Sequence, residues 1–164
     1  MKPALLVIDV QNRFFKFNQA CADSLNSAIE YINASIALFR TKGYPIFIIQ
    51  HKDEKEGLLP DTPDFALPKT LNVESRDPRV TKTYGNSFNK TQLATQLQEL
   101  GVDTVIITGF CAEYCVLSTY RGAQDLDLKP IILRNAIASD NAEHIAFVEE
   151  ITETITCGAL KTLL

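Results

Sequence analysis

The chain holds 164 residues, of which 46% are hydrophobic and 22% charged, a globular balance that excludes a disordered or low-complexity protein. Sixteen basic against twenty acidic side chains leave a net charge of −4 with no basic stripe, which argues against a nucleic-acid partner held through its phosphates. At roughly 150 residues per domain the length implies one domain, large enough to bury a core without a disulfide or metal staple.

The first apolar run, at 4–10, reads as a buried strand. It meets Asp9 too soon to serve as a signal-peptide core or a membrane span, so a leaderless, cytoplasmic chain with no membrane partner is expected. Ala22, Leu25, Ile29, Ile32, Ile36 and Phe39 recur at helical spacing until Gly43-Tyr44-Pro45 stops them. A second buried strand follows at 45–50. Residues 51–78 carry four prolines and little periodicity, which predicts a long functional surface loop. A weaker strand is expected at 79–83. Asn89-x-x-Gln92 resembles a capping box, with Leu93, Leu97 and Leu100 on one helix face. A strand at 104–108 precedes a stripe of Val116, Leu117, Tyr120, Ala123 and Leu126. A last strand at 130–133 leads to a helix capped by Asp140-x-x-Glu143, with Ile145, Val148, Ile151 and Ile155 inward. Strands alternating with helices predict an α/β fold, a doubly wound, Rossmann-like, mostly parallel sheet flanked by helices on both faces.

In such sheets ligands bind beyond the carboxyl ends of the strands. That rule brings Asp9, Gln11, Asn12, His51, Lys82, residues 109–115 and Asn135 to one rim. Cys115 falls in the first turn of a helix, where free amides and the dipole lower a thiol's pKa and can hold an oxyanion; the position equally suits a buried structural cysteine. Asp9 ends an apolar strand and reads either as a general base toward that thiol or as a paired structural acid. Lys82 reads as the charge that keeps Asp9 ionised or as an edge-strand lysine. His51 suits a substrate or metal contact or a structural hydrogen bond. His144 falls on an exposed helix face. Two histidines without a CxxC do not compose a zinc set, so no metal is expected. The four cysteines, Cys21, Cys111, Cys115 and Cys157, read as reduced thiols; Cys111 and Cys115 could pair, but no resolving motif accompanies them. Phe14, Phe15, Tyr84, Phe88, Phe110 and Tyr114 flank the rim and could wall a small apolar pocket or fill the core. With no GxGxxG and no Walker loop, a nucleotide cofactor has no support.

Leu5-Leu6-Val7-Ile8-Asp9-Val10-Gln11-Asn12, then Lys82 with Tyr84-Gly85-Asn86-Ser87-Phe88, then Thr108-Gly109 through Cys115-Val116, resemble the isochorismatase-like cysteine hydrolases in order and spacing. Glu113-Tyr114-Cys115-Val116 is similar to a nicotinamidase-related subgroup. The resemblance implies one isochorismatase-like hydrolase domain over 1–164 and an Asp9-Lys82-Cys115 triad. In that scheme Cys115 attacks a carbonyl to form a thioester, Asp9 moves the proton, and Lys82 stabilises the charged pair. It also implies a cis peptide between Phe110 and Cys111, with the amides of Cys111 and Cys115 as the oxyanion hole. Phe14, Gln11, His51, Tyr84, Phe88, Phe110 and Tyr114 become the substrate-binding set. Relatives are commonly dimers or tetramers, so a homodimer or homotetramer is implied. Nicotinamidases carry an Asp-x-His element and further histidines that bind metal, whereas this chain reads Ile49-Gln50-His51-Lys52-Asp53. Asp127 stands where a turn glycine is common. The expectation is a metal-free hydrolase without cofactor, acting on a C–N bond of a small amide, imide or ureido substrate. The rival is a non-catalytic or redox-active thiol protein that binds a small molecule.

Overall fold

In the computed structural model, which describes residues 1–164, the apolar runs form the centre of a parallel sheet. Its strands are β1 (Pro3–Ile8), β2 (Ile46–His51), β3 (Arg79–Lys82), β4 (Thr104–Phe110), β5 (Lys129–Ala138) and β6 (Thr154–Ile155). They lie in the order β3-β2-β1-β4-β5-β6, all neighbours parallel. Five helices accompany them: α1 (Gln19–Lys42), α2 (Leu93–Glu99), α3 (Leu117–Asp125), α4 (Ala142–Ile151) and α5 (Cys157–Leu163).

Side chains alternate across a strand, so each central strand feeds two cores. Leu5, Val7, Ile48 and Ile106 pack under Leu25, Ile29, Ile32, Ile36 and Phe39 of α1 and Leu160 of α5. Leu6, Ile8, Phe47, Ile49, Val105 and Ile107 face α2, α3 and α4 through Leu93, Leu97, Tyr120, Ala123 and Val148. Burial on both faces removes polar alternation, and this made the central strands legible. Helices therefore cover both faces, and the strand order reverses between β1 and β4, the usual position of a ligand crevice.

Several expectations change. Leu100 and Leu126 are 43% and 45% exposed because each is a C-cap, past the last turn of its helix. α4 starts after Asn141, whose side chain accepts from the Glu143 amide; Asp140 is not its cap. The chain enters α2 at Gln92 with no side-chain cap there, and Thr91 Oγ1 accepts from the Leu93 amide. Ile155 belongs to β6 rather than to the fourth helix, and β6 and α5 were not foreseen, since two strand residues and a seven-residue helix show too little periodicity to read. β5 runs on past residue 133: its register shifts opposite Ile107 and Gly109, Asn135 turns left-handed at φ 64, and Ile137 and Ala138 resume pairing. Asn135 is thus an exposed bulge residue and not a rim group. Asp127 sits at φ 58, the left-handed conformation that glycine takes most readily.

Residues 52–78 form the expected long loop, with a single isolated bridge between Asp53 and Leu58. It is anchored inward by Leu58, Phe65 and Leu71 and outward by Arg40, whose guanidinium lies 2.9 Å from Asp77. No helix is long and apolar enough to cross a membrane.

One glycine controls the approach of β4 to β1. Gly109 has φ +113, and a Cβ there would meet the Ile8 carbonyl oxygen at 2.0 Å. Neither backbone can retreat from a six-strand sheet. Gly109→Ala is expected to destabilise the fold by about 3 kcal/mol or more, read as a fall in the urea midpoint at unchanged slope.

Candidate active site

Four neighbouring strands deliver the site in order. β3 ends in Lys82 and β2 in His51, and the parallel register pairs these two residues directly. β1 is followed by Asp9 in a left-handed conformation, φ 52. β4 runs into the π-helical turn Ala112–Val116, which carries Cys115; such turns recur at functional sites. The peptide between Phe110 and Cys111 is cis, as the resemblance implied.

The Lys82 ammonium is the centre of the cluster. Its Nζ lies 2.7 Å from Asp9 Oδ2, 3.2 Å from Cys115 Sγ and 3.2 Å from His51 Nδ1. The Lys82 and Asp9 side chains are 0% and 1% exposed, so this is a buried ion pair and not an edge-strand lysine beside a solvated acid. Neither Asp9 oxygen accepts a well-directed hydrogen bond, which leaves the ammonium as the carboxylate's countercharge.

The thiol's state differs from the sequence expectation. Burial first, and the Asp9 carboxylate second, push Cys115 up to about 12, with Lys82 offsetting only part of this. The first-turn amides do not dominate, because the thiolate would stand in a desolvated pocket beside a negative charge. The resting thiol is therefore neutral at pH 7. Cys115 is expected to react with iodoacetamide more slowly than free cysteine at pH 8, with a rate that keeps rising above pH ~9; rapid alkylation below pH 7 would contradict this.

The other rim residues divide. Gln11 is fully buried and braces the fold rather than touching substrate: Nε2 donates to the His51 and Phe65 carbonyls at 3.1 and 3.2 Å, and Oε1 accepts from the His51 amide at 2.7 Å. Asn12 likewise holds the loop through the Pro63 carbonyl. Phe14 and His51 line a cleft of about 280 Å³ together with Phe17 and Leu58, and Arg13, Asp53 and Glu56 supply its charges. Phe110 is buried beneath Phe14, ring centroids 4.9 Å apart, and supports the wall without forming it. Phe15 is partly buried against the α1-side core. Phe88 packs with Cys115 against the opposite core. Tyr84 and Tyr114 are exposed, the Tyr84 hydroxyl bound by Lys90, and neither is among the residues that line this cleft. Phe17 was missed although it continues the run Phe14-Phe15-Lys16-Phe17; Leu58 was missed because it lies in the loop.

A second unforeseen group pins the turn that carries Cys115. Glu113 accepts from the Cys111 thiol at 3.0 Å, from Ser139 Oγ at 3.1 Å and pairs with His144 Nδ1 at 2.6 Å. Burial works to raise the Glu113 carboxyl, and these hydrogen bonds outweigh it and hold it below the usual range. Burial and Glu113 push the Cys111 thiol up, which suppresses the thiolate that disulfide exchange requires. All four cysteines are free.

Asp9, His51 and Cys115 bring potential metal-ligand atoms within 4.8 Å of one another. The Lys82 ammonium already stands in contact with all three, so a divalent ion between them would meet a buried positive charge, and this donor set does not fit a metal. Glu113, Asp140 and His144 form another such group, in which Glu113 is already hydrogen-bonded to three side chains.

Fold and site together define a parallel α/β protein with a cysteine at a strand-to-helix turn beside a buried lysine–aspartate pair. The isochorismatase domain pattern matches residues 3–157, and the chain belongs to the isochorismatase family. It is 30% identical over 140 residues to an uncharacterised isochorismatase family protein, YrdC, of Bacillus subtilis, covering 84% of this chain and 74% of that one. Nicotinamidase 3 of Arabidopsis thaliana is 26% identical over 155 residues, covering 85% of this chain and 75% of that one. The crystal structure of an isochorismatase-like hydrolase from Alkaliphilus metalliredigens superimposes with a TM-score of 0.90 over 99% of both chains at 24% identity.

Proposed function

We propose that this chain is a metal-independent cysteine hydrolase that cleaves the C–N bond of a small amide, imide or ureido compound. The observation that carries the reading is the contact of one buried ammonium with both the Asp9 carboxylate and the Cys115 sulfur. Kinship with a nicotinamidase supports the substrate class.

A thiol held near 12 cannot supply a standing thiolate, so its proton must leave as the S–C bond forms. Asp9 is the base at hand. Cys115 Sγ adds to the carbonyl carbon, its proton passes to Asp9, and the amides of Cys111 and Cys115 receive the charge on oxygen. Asp9 then returns the proton to the departing nitrogen, leaving a thioester on Cys115. Water, deprotonated by Asp9, attacks that thioester and releases the acid and the thiol. Lys82 stands against Asp9 and balances negative charge as it moves between sulfur, oxygen and carboxylate.

The test is a release assay across nicotinamide, N-carbamoyl amines, ureidoacrylate-like compounds and isochorismate, with and without EDTA. Ammonia or amine release from at least one C–N substrate, unchanged by the chelator, is the expected result. Cleavage of isochorismate alone, or loss of activity with EDTA, would contradict the proposal.

A further inference from the structure

Lysine carries three N–H donors and no acceptor. The Lys82 ammonium has two acceptors within hydrogen-bonding reach, Cys115 Sγ and His51 Nδ1, and Asp9 Oδ2 as its ion-pair partner at 2.7 Å. An ammonium can meet Nδ1 only if that nitrogen offers its lone pair. The imidazole must then be neutral, with its proton on Nε2.

The surroundings enforce this state. The His51 backbone is clamped on both sides by Gln11. Its side chain is placed beside Lys82 by the parallel pairing of β2 with β3. Burial, then the Lys82 charge, holds the ring below the ordinary histidine value, against the opposing pull of Asp9 and Asp53. The charged and titratable groups around it are Lys82 from β3, Asp9 after β1, Cys115 on the π-helical turn, Asp53 on its own segment, and Arg13 and Glu56 on the cleft wall.

We propose that His51 is a positioning residue for the proposed hydrolysis: its neutral Nδ1 accepts from Lys82 and holds the ammonium between Asp9 and Cys115, while its Nε2–H remains as a donor beside the cleft. Without that acceptor the ammonium is free to shift, and its ion pair with the carboxylate and its bond to sulfur are no longer held together. Protonated, His51 would place two cations in contact and push Lys82 away. The kinetic part rests on the hydrolase reading; the tautomer does not.

The experiment therefore has two arms. Nitrogen-15 NMR of the imidazoles reads the tautomer directly, and with two histidines in the chain, His144→Gln leaves one set of signals. The expected spectrum shows a bare Nδ1 and a protonated Nε2 at pH 7, with no imidazolium until well below ~6.5. A proton on Nδ1, or a charged ring at pH 7, would overturn the proposal whether or not any substrate is turned over.

The second arm compares His51→Asn, whose Oδ1 can replace Nδ1 as acceptor, with His51→Leu, which offers none. On an amide that the wild type hydrolyses, the asparagine variant should keep kcat within about threefold and move the acid limb of the pH profile to lower pH, while the leucine variant should lose about tenfold or more. Equal kcat for the leucine variant and wild type would overturn the assignment. A locked tautomer with no turnover of any C–N substrate would leave the His51 geometry standing and defeat the hydrolase reading instead.

Discussion

Cys115→Ala is expected to lower turnover by at least ~10⁴-fold, the scale seen when a nucleophile is removed from a cooperating set, while the protein still folds. Cys115 is partly buried, and its loss leaves Lys82 with Asp9 and His51 as partners. The stability change should stay near ~1 kcal/mol, within the range of ordinary substitutions. Folding is checked by a urea titration and turnover by ammonia release. A variant that folds and retains turnover would remove the thioester route, since no second thiol is placed to replace it: Cys111 donates to Glu113, and its thiolate is suppressed.

Lys82→Met has the largest expected effect on stability. Lys82 and Asp9 are both enclosed, and removing the ammonium strands a carboxylate whose oxygens have no other counterpart. Breaking a buried pair in this way costs about 3–5 kcal/mol. Asp9→Asn in the same chain removes the stranded charge, so the double variant should recover part of that loss. The coupling is read from the four urea midpoints of a double-mutant cycle. Additive single and double changes would mean that the two groups do not interact as the geometry requires.

The legible and illegible parts of this molecule separate on physical grounds. β1, β2 and β4 stood out because strands covered on both sides become unbroken apolar runs. α1 was readable from six apolar positions and a glycine that ends it in a left-handed cap. The rim rule brought Asp9, Lys82, His51 and Cys115 to one end of the sheet, and the structure brings these four together. What failed was whatever depended on contacts far apart in the chain. The role of Gln11 was invisible because its three partners lie 40 and 54 residues away. The cleft wall around Leu58 lay in a loop whose path no periodicity encodes. The role of Glu113 was invisible because Ser139 and His144 close on it from β5's end and α4. The thiol's state was misjudged because a helix N-terminus is visible in sequence, whereas desolvation and a carboxylate brought in by another strand are not.

The proposed hydrolysis passes through a covalent bond between the Cys115 sulfur and the acyl carbon, with Asp9 moving the proton. Intact-mass spectrometry of rapidly acid-quenched wild-type enzyme during turnover of the amide that it hydrolyses fastest reads that bond. An acyl adduct is expected on the peptide carrying Cys115 and is expected to be absent in Cys115→Ala. Turnover by the wild type with no adduct on that peptide, together with full activity of Cys115→Ala, would rule it out.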